Sequence, residues 1–278
     1  MNARQSIWNR IFVLFIPLIV MLMFLLFPFY WTFVTSIKPE IELYGPKVTY
    51  WPHNVVFDAY HKLFVEYNFL KPMMNSALVA VVTTCVTLCV ATLAAYAFTR
   101  YKFVGKKVFM IMFLTNNMFP NVLLLIPLYA LMRNLGLLFN PMSLILAHAT
   151  FTIPFSVWMM TGYLKDLPES LEEAAWIDGA SRRKAFMKVI LPILTPSIVA
   201  TGIYIFIQSW NEYTFAVMFT NEATRTTPVA LNKLVGQLGV QWDLITAGGI
   251  INIIPICIMF FFAQKRLIEG MTAGAVKG

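Results

Sequence analysis

From Ile11 to Val34 the chain runs through 24 residues without one charged side chain. As a helix this run is about 36 Å long, more than the ~30 Å hydrocarbon core of a bilayer. It is too long for the apolar core of a signal peptide, and no small-residue cleavage site follows it. It reads as a retained first membrane span. Further apolar runs follow at about 73–98, 108–132, 141–163, 194–219 and 245–263. The expected fold class is therefore all-α: a polytopic membrane protein with six transmembrane helices, forming one domain over residues 1–278. Charged residues make up 12% of the chain, against about 25% in soluble domains.

A net charge of +8 would suit a nucleic-acid binder. The distribution argues otherwise, because the basic residues lie in short segments between apolar runs. Six spans put both termini on one side. That side would carry 14 of the 21 Lys and Arg residues, from Arg4 and Arg10, the 100–107 turn, the 164–191 segment and the tail. The richer side is expected to be cytoplasmic. Segments 38–72 and 220–244 then face outward. Cys85, Cys89 and Cys257 all fall inside apolar runs, where they suit small packing positions. Cys85 and Cys89 share a helix face, but no third or fourth ligand stands at suitable spacing, so no metal site is expected.

Polar residues inside the spans are few. Asn116, Asn117 and Asn121 accompany Pro120 and Pro127 in the third span. Each proline frees a carbonyl one turn back. Amides beside freed carbonyls fit either interhelical hydrogen bonding or a water-lined path. Asn140-Pro141 opens the fourth span as N-cap and first helical residue. His148 in that span has no acidic neighbour in its own segment and reads as a packing residue. Gln208, Trp210, Asn211 and Glu212 lie in the fifth span and Asn252 in the sixth. Glu212 is the one acidic residue in any expected span. It reads equally as a functional group and as a structural hydrogen-bond anchor.

The segment 164–191 differs from everything around it. Asp166-Leu167-Pro168-Glu169 resembles a helix start, with Asp as cap and Glu three residues on. That helix should stop at Gly179 in a left-handed turn. Ser181 then caps a second short helix, ended by Leu191-Pro192. The result is a knob with one smooth face at Ala174 and Ala175, ringed by Glu172, Glu173, Arg182, Arg183 and Lys184. Capped ends and a small-residue face suit docking better than a solvated linker.

Glu173-Ala174-Ala175-x-x-Asp178-Gly179-Ala180, then Phe186, Leu191-Pro192 and Pro196, resembles the EAA signature of bacterial ABC importer permeases. Trp210-Asn211-Glu212-Tyr213 and the tail from Gly270 to Gly278 resemble the carbohydrate-uptake branch, in particular the smaller, maltose-type inner-membrane permease subunit. The resemblance implies that the knob is the coupling helix, with Glu173, Ala174, Ala175, Asp178 and Gly179 seated in a cytoplasmic ATP-binding cassette subunit. It implies a cassette dimer, a second and related permease subunit, and an extracellular or periplasmic solute-binding protein whose ligand cleft the 220–244 loop would probe. It places the chain in the bacterial cytoplasmic membrane. It implies no cofactor in this chain, ATP and Mg being bound by the partner subunits.

The chain has no G-x-x-x-x-G-K-[ST] phosphate loop. ATP hydrolysis is therefore expected in a separate subunit. Candidates for the substrate path are Asn116, Asn117, Gln208, Trp210, Asn211, Glu212 and Asn252, because a sugar needs hydroxyl partners and an aromatic face. The alternatives are an ABC permease for a non-sugar solute and an ion-coupled secondary transporter. The latter would call for several intramembrane carboxylates or inverted repeats.

Overall fold

The computed structural model describes residues 11–236 and 239–275. Arg4, Arg10 and the last tail residues, 276–278, lie outside them. Most of the described residues are helical. A two-residue antiparallel ladder pairs Val235 with Val240 and Gly236 with Gly239. Among the described residues, four helices are long and apolar enough to cross a membrane: Phe12–Ser36, Leu70–Arg100, Pro141–Lys165 and Trp242–Gln264. Two bent pairs reach that standard only when joined: Lys106–Met118 with Asn121–Asn134, and Arg182–Ile193 with Thr195–Trp210.

The expected third span is therefore not one straight helix. It bends by 97° at Phe119-Pro120. Phe119 sits before a proline and is extended (φ −77°, ψ 130°), as that position demands. The expected fifth span is also interrupted. The Thr195–Trp210 helix stops, Asn211 to Tyr213 leave the ladder, and a new helix runs from Thr214 to Phe219. The last helix runs from Trp242 to Ala275, past the expected end at 263. The cap of the fourth span is as expected: Asn140 accepts a bond from the Met142 N–H at 2.9 Å, with Pro141 in the first turn.

The structure divides into two compact units. One comprises Leu70–Ala230 together with the chain from Pro255 onward. Its centre is the Pro141–Lys165 helix, which packs on Leu70–Arg100, Lys106–Met118 and Thr195–Trp210. The sequence explains the close fit. Ala80, Thr83, Thr87, Ala91 and Ala95 form one stripe at helical spacing, and all are fully buried. In lipid, helix association gains little from apolar burial and depends on close packing and polar contacts. A stripe of small residues supplies the first. Thr87 and Thr152, 3.0 Å apart, supply the second. Gly202 continues the theme, since a Cβ there would sit 3.2 Å from Leu88 Cδ1. Two clusters of larger residues flank this seam. One joins Val79, Met132, Leu144, Phe215 and Phe219. The other joins Phe98, Met160, Leu164, Phe186 and Ile190. The three cysteines lie outside both; all are exposed on this chain's surface rather than packed.

The other unit comprises the chain up to Phe69 and Leu231–Ile254. Its Ile16–Ser36 helix is apolar all round and buries only Val34, Thr35 and Ser36. A helix of that kind meets lipid or another chain rather than water. The 38–69 stretch is a folded cap rather than an open loop. Lys38 Nζ donates to Thr49 O at 2.5 Å and lies 4.8 Å from the Trp31 ring. Glu42 accepts from the Thr49 hydroxyl and from the His53 N–H. Tyr44 donates to Val240 O at 2.9 Å, tying the short ladder to the cap.

Candidate functional site

Two features of the Leu70–Ala230 unit bear on function, an exposed knob and a polar cavity. In the knob, Asp166 does not start a helix. It closes the preceding one, Pro141–Lys165, as its C-cap. The next helix, Ser170–Ile177, begins after Glu169 without a side-chain cap. Its end follows the sequence closely. Gly179 is left-handed (φ +81°). The Gly179 N–H bonds to Trp176 O at 3.0 Å and the Ala180 N–H to Ala175 O at 2.9 Å. That pair of bonds is the Schellman closure, which glycine permits at the C′ position. Ser181 then caps the second helix, accepting from the Lys184 N–H at 3.3 Å. This helix does not end at Leu191-Pro192. Pro192 has no N–H to bond back to Lys188, and the ladder widens to a π turn over Phe186–Ile190 before continuing to Ile193. A 72° bend follows.

The outer side of the knob presents Glu173, Ala174, Asp178 and Gly179, all exposed, with Ala175 half-buried. Ile177 stands beside them, 86% exposed. Glu172 is not part of the expected ring of surface charge. It points inward and is 1% exposed. Its carboxylate accepts from Arg100 Nε at 2.5 Å and from the Tyr96 hydroxyl at 2.6 Å. Arg100 also donates to Leu167 O at 3.2 Å. Breaking such a buried pair from one side leaves an uncompensated charge, at about 3–5 kcal/mol. The Arg182 guanidinium lies over Trp176 (5.1 Å) and Tyr101 (5.7 Å).

The cavity, about 150 Å³, is lined by Asn116, Asn117, Asn121, His148, Gln208 and Glu212, among others. The bend at Pro120 brings the three asparagines to it, and the Thr195–Trp210 helix supplies Tyr204 and Gln208, one turn apart. Glu212 has three partners in the structure. Its carboxylate accepts from the backbone N–H groups of Phe215 (2.8 Å) and Ala216 (3.0 Å), capping the Thr214–Phe219 helix. It also faces His148 Nε2 at 3.2 Å, while His148 Nδ1 meets Ser209 Oγ at 2.7 Å. His148 is thus linked to the acid that its own segment lacks.

Four of the seven expected path residues, Asn116, Asn117, Gln208 and Glu212, converge here. Trp210 does not; it is 1% exposed and stacked on Phe206. Asn211 is exposed at the helix end and does not line the cavity. Asn252 belongs to the other unit. The sequence reading missed Tyr96, Arg100 and the inward turn of Glu172, which are about seventy residues apart in sequence. Tyr204 was legible as the residue four before Gln208.

Comparison with known proteins gives the family. Residues 87–272 match the family described as binding-protein-dependent transport system inner membrane component. The chain is 34% identical to the trehalose/maltose transport system permease protein MalG of Thermococcus litoralis, over 99% of both chains. It is also 34% identical to the sulfoquinovosyl glycerol transport system permease protein SmoH of Agrobacterium fabrum, over 91% of this chain and 89% of that one. Its fold matches a chain of a bacterial ABC transporter involved in the import of the acidic polysaccharide alginate. That match has a TM-score of 0.78 at 24% identity and covers 95% of this chain and 98% of that one. The chain therefore belongs to the family of binding-protein-dependent transport system inner membrane components.

Proposed function

We propose that this chain is one transmembrane permease subunit of an ATP-driven ABC importer for a carbohydrate, with six spans and both termini in the cytoplasm. The reading rests above all on family membership combined with the capped, outward-facing Glu173-Ala174-Ala175 helix. Membership sets aside the ion-coupled secondary transporter. In this reading the bent pair Lys106–Met118 with Asn121–Asn134 forms the third span, and Thr195–Trp210 with Thr214–Phe219 forms the fifth. The knob is the coupling loop, and Glu173, Ala174, Ala175, Asp178 and Gly179 seat it in a cytoplasmic cassette subunit. Hydrolysis of ATP, with its Mg, takes place in that cassette dimer. A second, related permease completes the pathway, and a solute-binding protein delivers substrate to the outer face. The 220–244 loop would probe its ligand cleft, and the first part of that loop is held on the Leu70–Arg100 helix. The Asn75 amide donates to the carbonyls of Ala223 and Arg225, and Ser76 Oγ accepts from the Thr227 N–H.

The polar cavity is this chain's share of the path. Amides, a histidine, a carboxylate and the Tyr204 phenol match the hydroxyls of a sugar. At about 150 Å³ it is smaller than the roughly 300–1,000 Å³ of a complete small-molecule site, as expected of a path shared between two subunits. Co-purification from membranes, followed by uptake of a labelled solute panel in proteoliposomes, tests the reading. A cassette ATPase and a second permease should be recovered, and a saccharide should be the solute moved. Recovery of a homodimer without an ATPase would overturn it. Uptake of an amino acid or ion alone would overturn the carbohydrate part.

A further inference from the structure

The knob is tied covalently to two helices, since the chain enters it from Pro141–Lys165 and leaves it into Thr195–Trp210. Its side chains tie it to a third. Glu172, on the inner side of the Ser170–Ile177 helix, is held by Tyr96 and Arg100, one turn apart near the end of Leu70–Arg100. Arg100 reaches back to Leu167 O, at the entry to the knob. The returning limb touches the same place. The Phe186 ring lies 4.7 Å from that of Tyr96, and Arg182 lies over Tyr101. Both limbs of the knob thus grip residues 96–101. The carboxylate of Glu172 is 1% exposed and its guanidinium partner 9%, so the contact is shielded from the water and salt that weaken surface ion pairs.

We propose that Tyr96, Arg100 and Glu172 form a strut that carries displacement of the knob into the Leu70–Arg100 helix, so that cassette motion reaches three helices of this unit together. These are positioning residues. They act through the knob and touch neither nucleotide nor solute. The proposal rests on the coupling reading above. It predicts a separation of two properties: outer residues such as Glu173 govern attachment of the cassette, and the strut governs how much transport each hydrolysis yields.

The test uses the intact complex in proteoliposomes, with cassette retention, ATP hydrolysis and labelled solute uptake measured on the same preparation. The variant is the double change Arg100→Gln with Glu172→Gln. It removes both charges at once and leaves no lone buried ion. Cassette retention and hydrolysis should persist while uptake per ATP falls by about tenfold, within the usual range of coupling effects. Unchanged uptake per ATP would overturn the strut. So would loss of the cassette, which would make these residues part of attachment. If the double variant does not accumulate, Tyr96→Phe decides, because it deletes one hydrogen bond and no charge. Uptake per ATP should then fall by about threefold with the cassette retained, and no fall overturns the proposal. Glu173→Lys is run in parallel. Normal cassette retention and uptake in that variant would overturn the coupling reading itself, an outcome distinct from failure of the strut.

Discussion

Gly179 offers a sharp test of whether the knob works through its backbone shape. The residue has φ +81°, and a Cβ built there would meet nothing within 4 Å. Alanine therefore pays no steric penalty against neighbours, only the cost of the left-handed region, about 1–2 kcal/mol. The Schellman pair and the Ser181 cap hold the turn against that cost. Asparagine visits this region more readily and should cost less. Proline cannot reach it. Its ring fixes φ near −65°, and it lacks the N–H that bonds to Trp176 O, a loss of about 3 kcal/mol or more. Uptake should then rank Gly, Asn, Ala and Pro in descending order. Alanine should fall by about five- to thirtyfold from the parent and proline by more than about a hundredfold, at 1.4 kcal/mol per decade. The assay is labelled-solute uptake by cells, normalised to the amount of each variant in the membrane. Normal uptake by Gly179→Pro would show that the turn has no part in transport. Alanine as damaging as proline would show that side-chain size, not backbone conformation, is what the position forbids.

Other consequences can be measured on the purified protein. Glu212→Gln keeps one acceptor for the Thr214–Phe219 cap but turns an amide N–H towards a backbone N–H. Thermal unfolding in detergent should show a loss of about 1–3 kcal/mol, and an unchanged midpoint would contradict the capping role. Gly202→Val forces a branched side chain towards Leu88 Cδ1 and Thr84 Cγ2. Overpacking of this kind costs about 1–3 kcal/mol, whereas Gly202→Ala should be milder, and the same melt distinguishes them. In the 38–69 cap, the Thr49 hydroxyl holds the Glu42 carboxyl below its ordinary 4.5. A depressed carboxyl contributes stability that is present above its unfolded value and lost as pH falls through its folded one. Thr49→Val should therefore move the acid loss of this cap to higher pH, towards 4.5, as followed by tryptophan fluorescence. An unshifted acid transition would refute the assignment.

The membrane class, four long apolar helices and the glycine-closed knob were legible because they depend on local signals. A run without charge, an Asn-Pro start and a glycine after a short helix each act within a few residues. The breaks were harder to read. Pro120 and Pro127 both lie in the third span, and each is able to interrupt a helix. The structure bends at Pro120 and leaves Pro127 inside Leu125–Asn134. The interruption after Trp210 has no proline at all. It depends on Glu212 offering its carboxylate to Phe215 and Ala216. The same carboxylate faces His148, 64 residues away, and that pairing was invisible to a reading confined to one segment. The path candidates divided for a similar reason. The bend at Pro120 gathers Asn116 and Asn117 at the cavity, whereas Trp210 and Asn211, next to Glu212 in sequence, project away from it.

Glu172 and Glu173 make the limit of sequence reading concrete. They are chemically identical neighbours in the Ser170–Ile177 helix, and helical geometry turns successive side chains about 100° apart. One can therefore face the bundle while the other faces out. Sequence alone shows that they part, but not which one turns inward, because the deciding partner is at the end of another helix. Arg100 settles it: a guanidinium 9% exposed needs a carboxylate, and Glu172 lies within its reach. Glu173 is left on the outer side, beside Ala174 and Asp178, free of that contact. An exposed acid can be reversed in charge with little effect on folding, whereas removal of the buried one alone strands an arginine. A charge-reversal scan of this helix should thus give stable but inactive protein at 173 and poorly accumulating protein at 172. Equal accumulation of Glu172→Lys and Glu173→Lys would refute the inward assignment of Glu172.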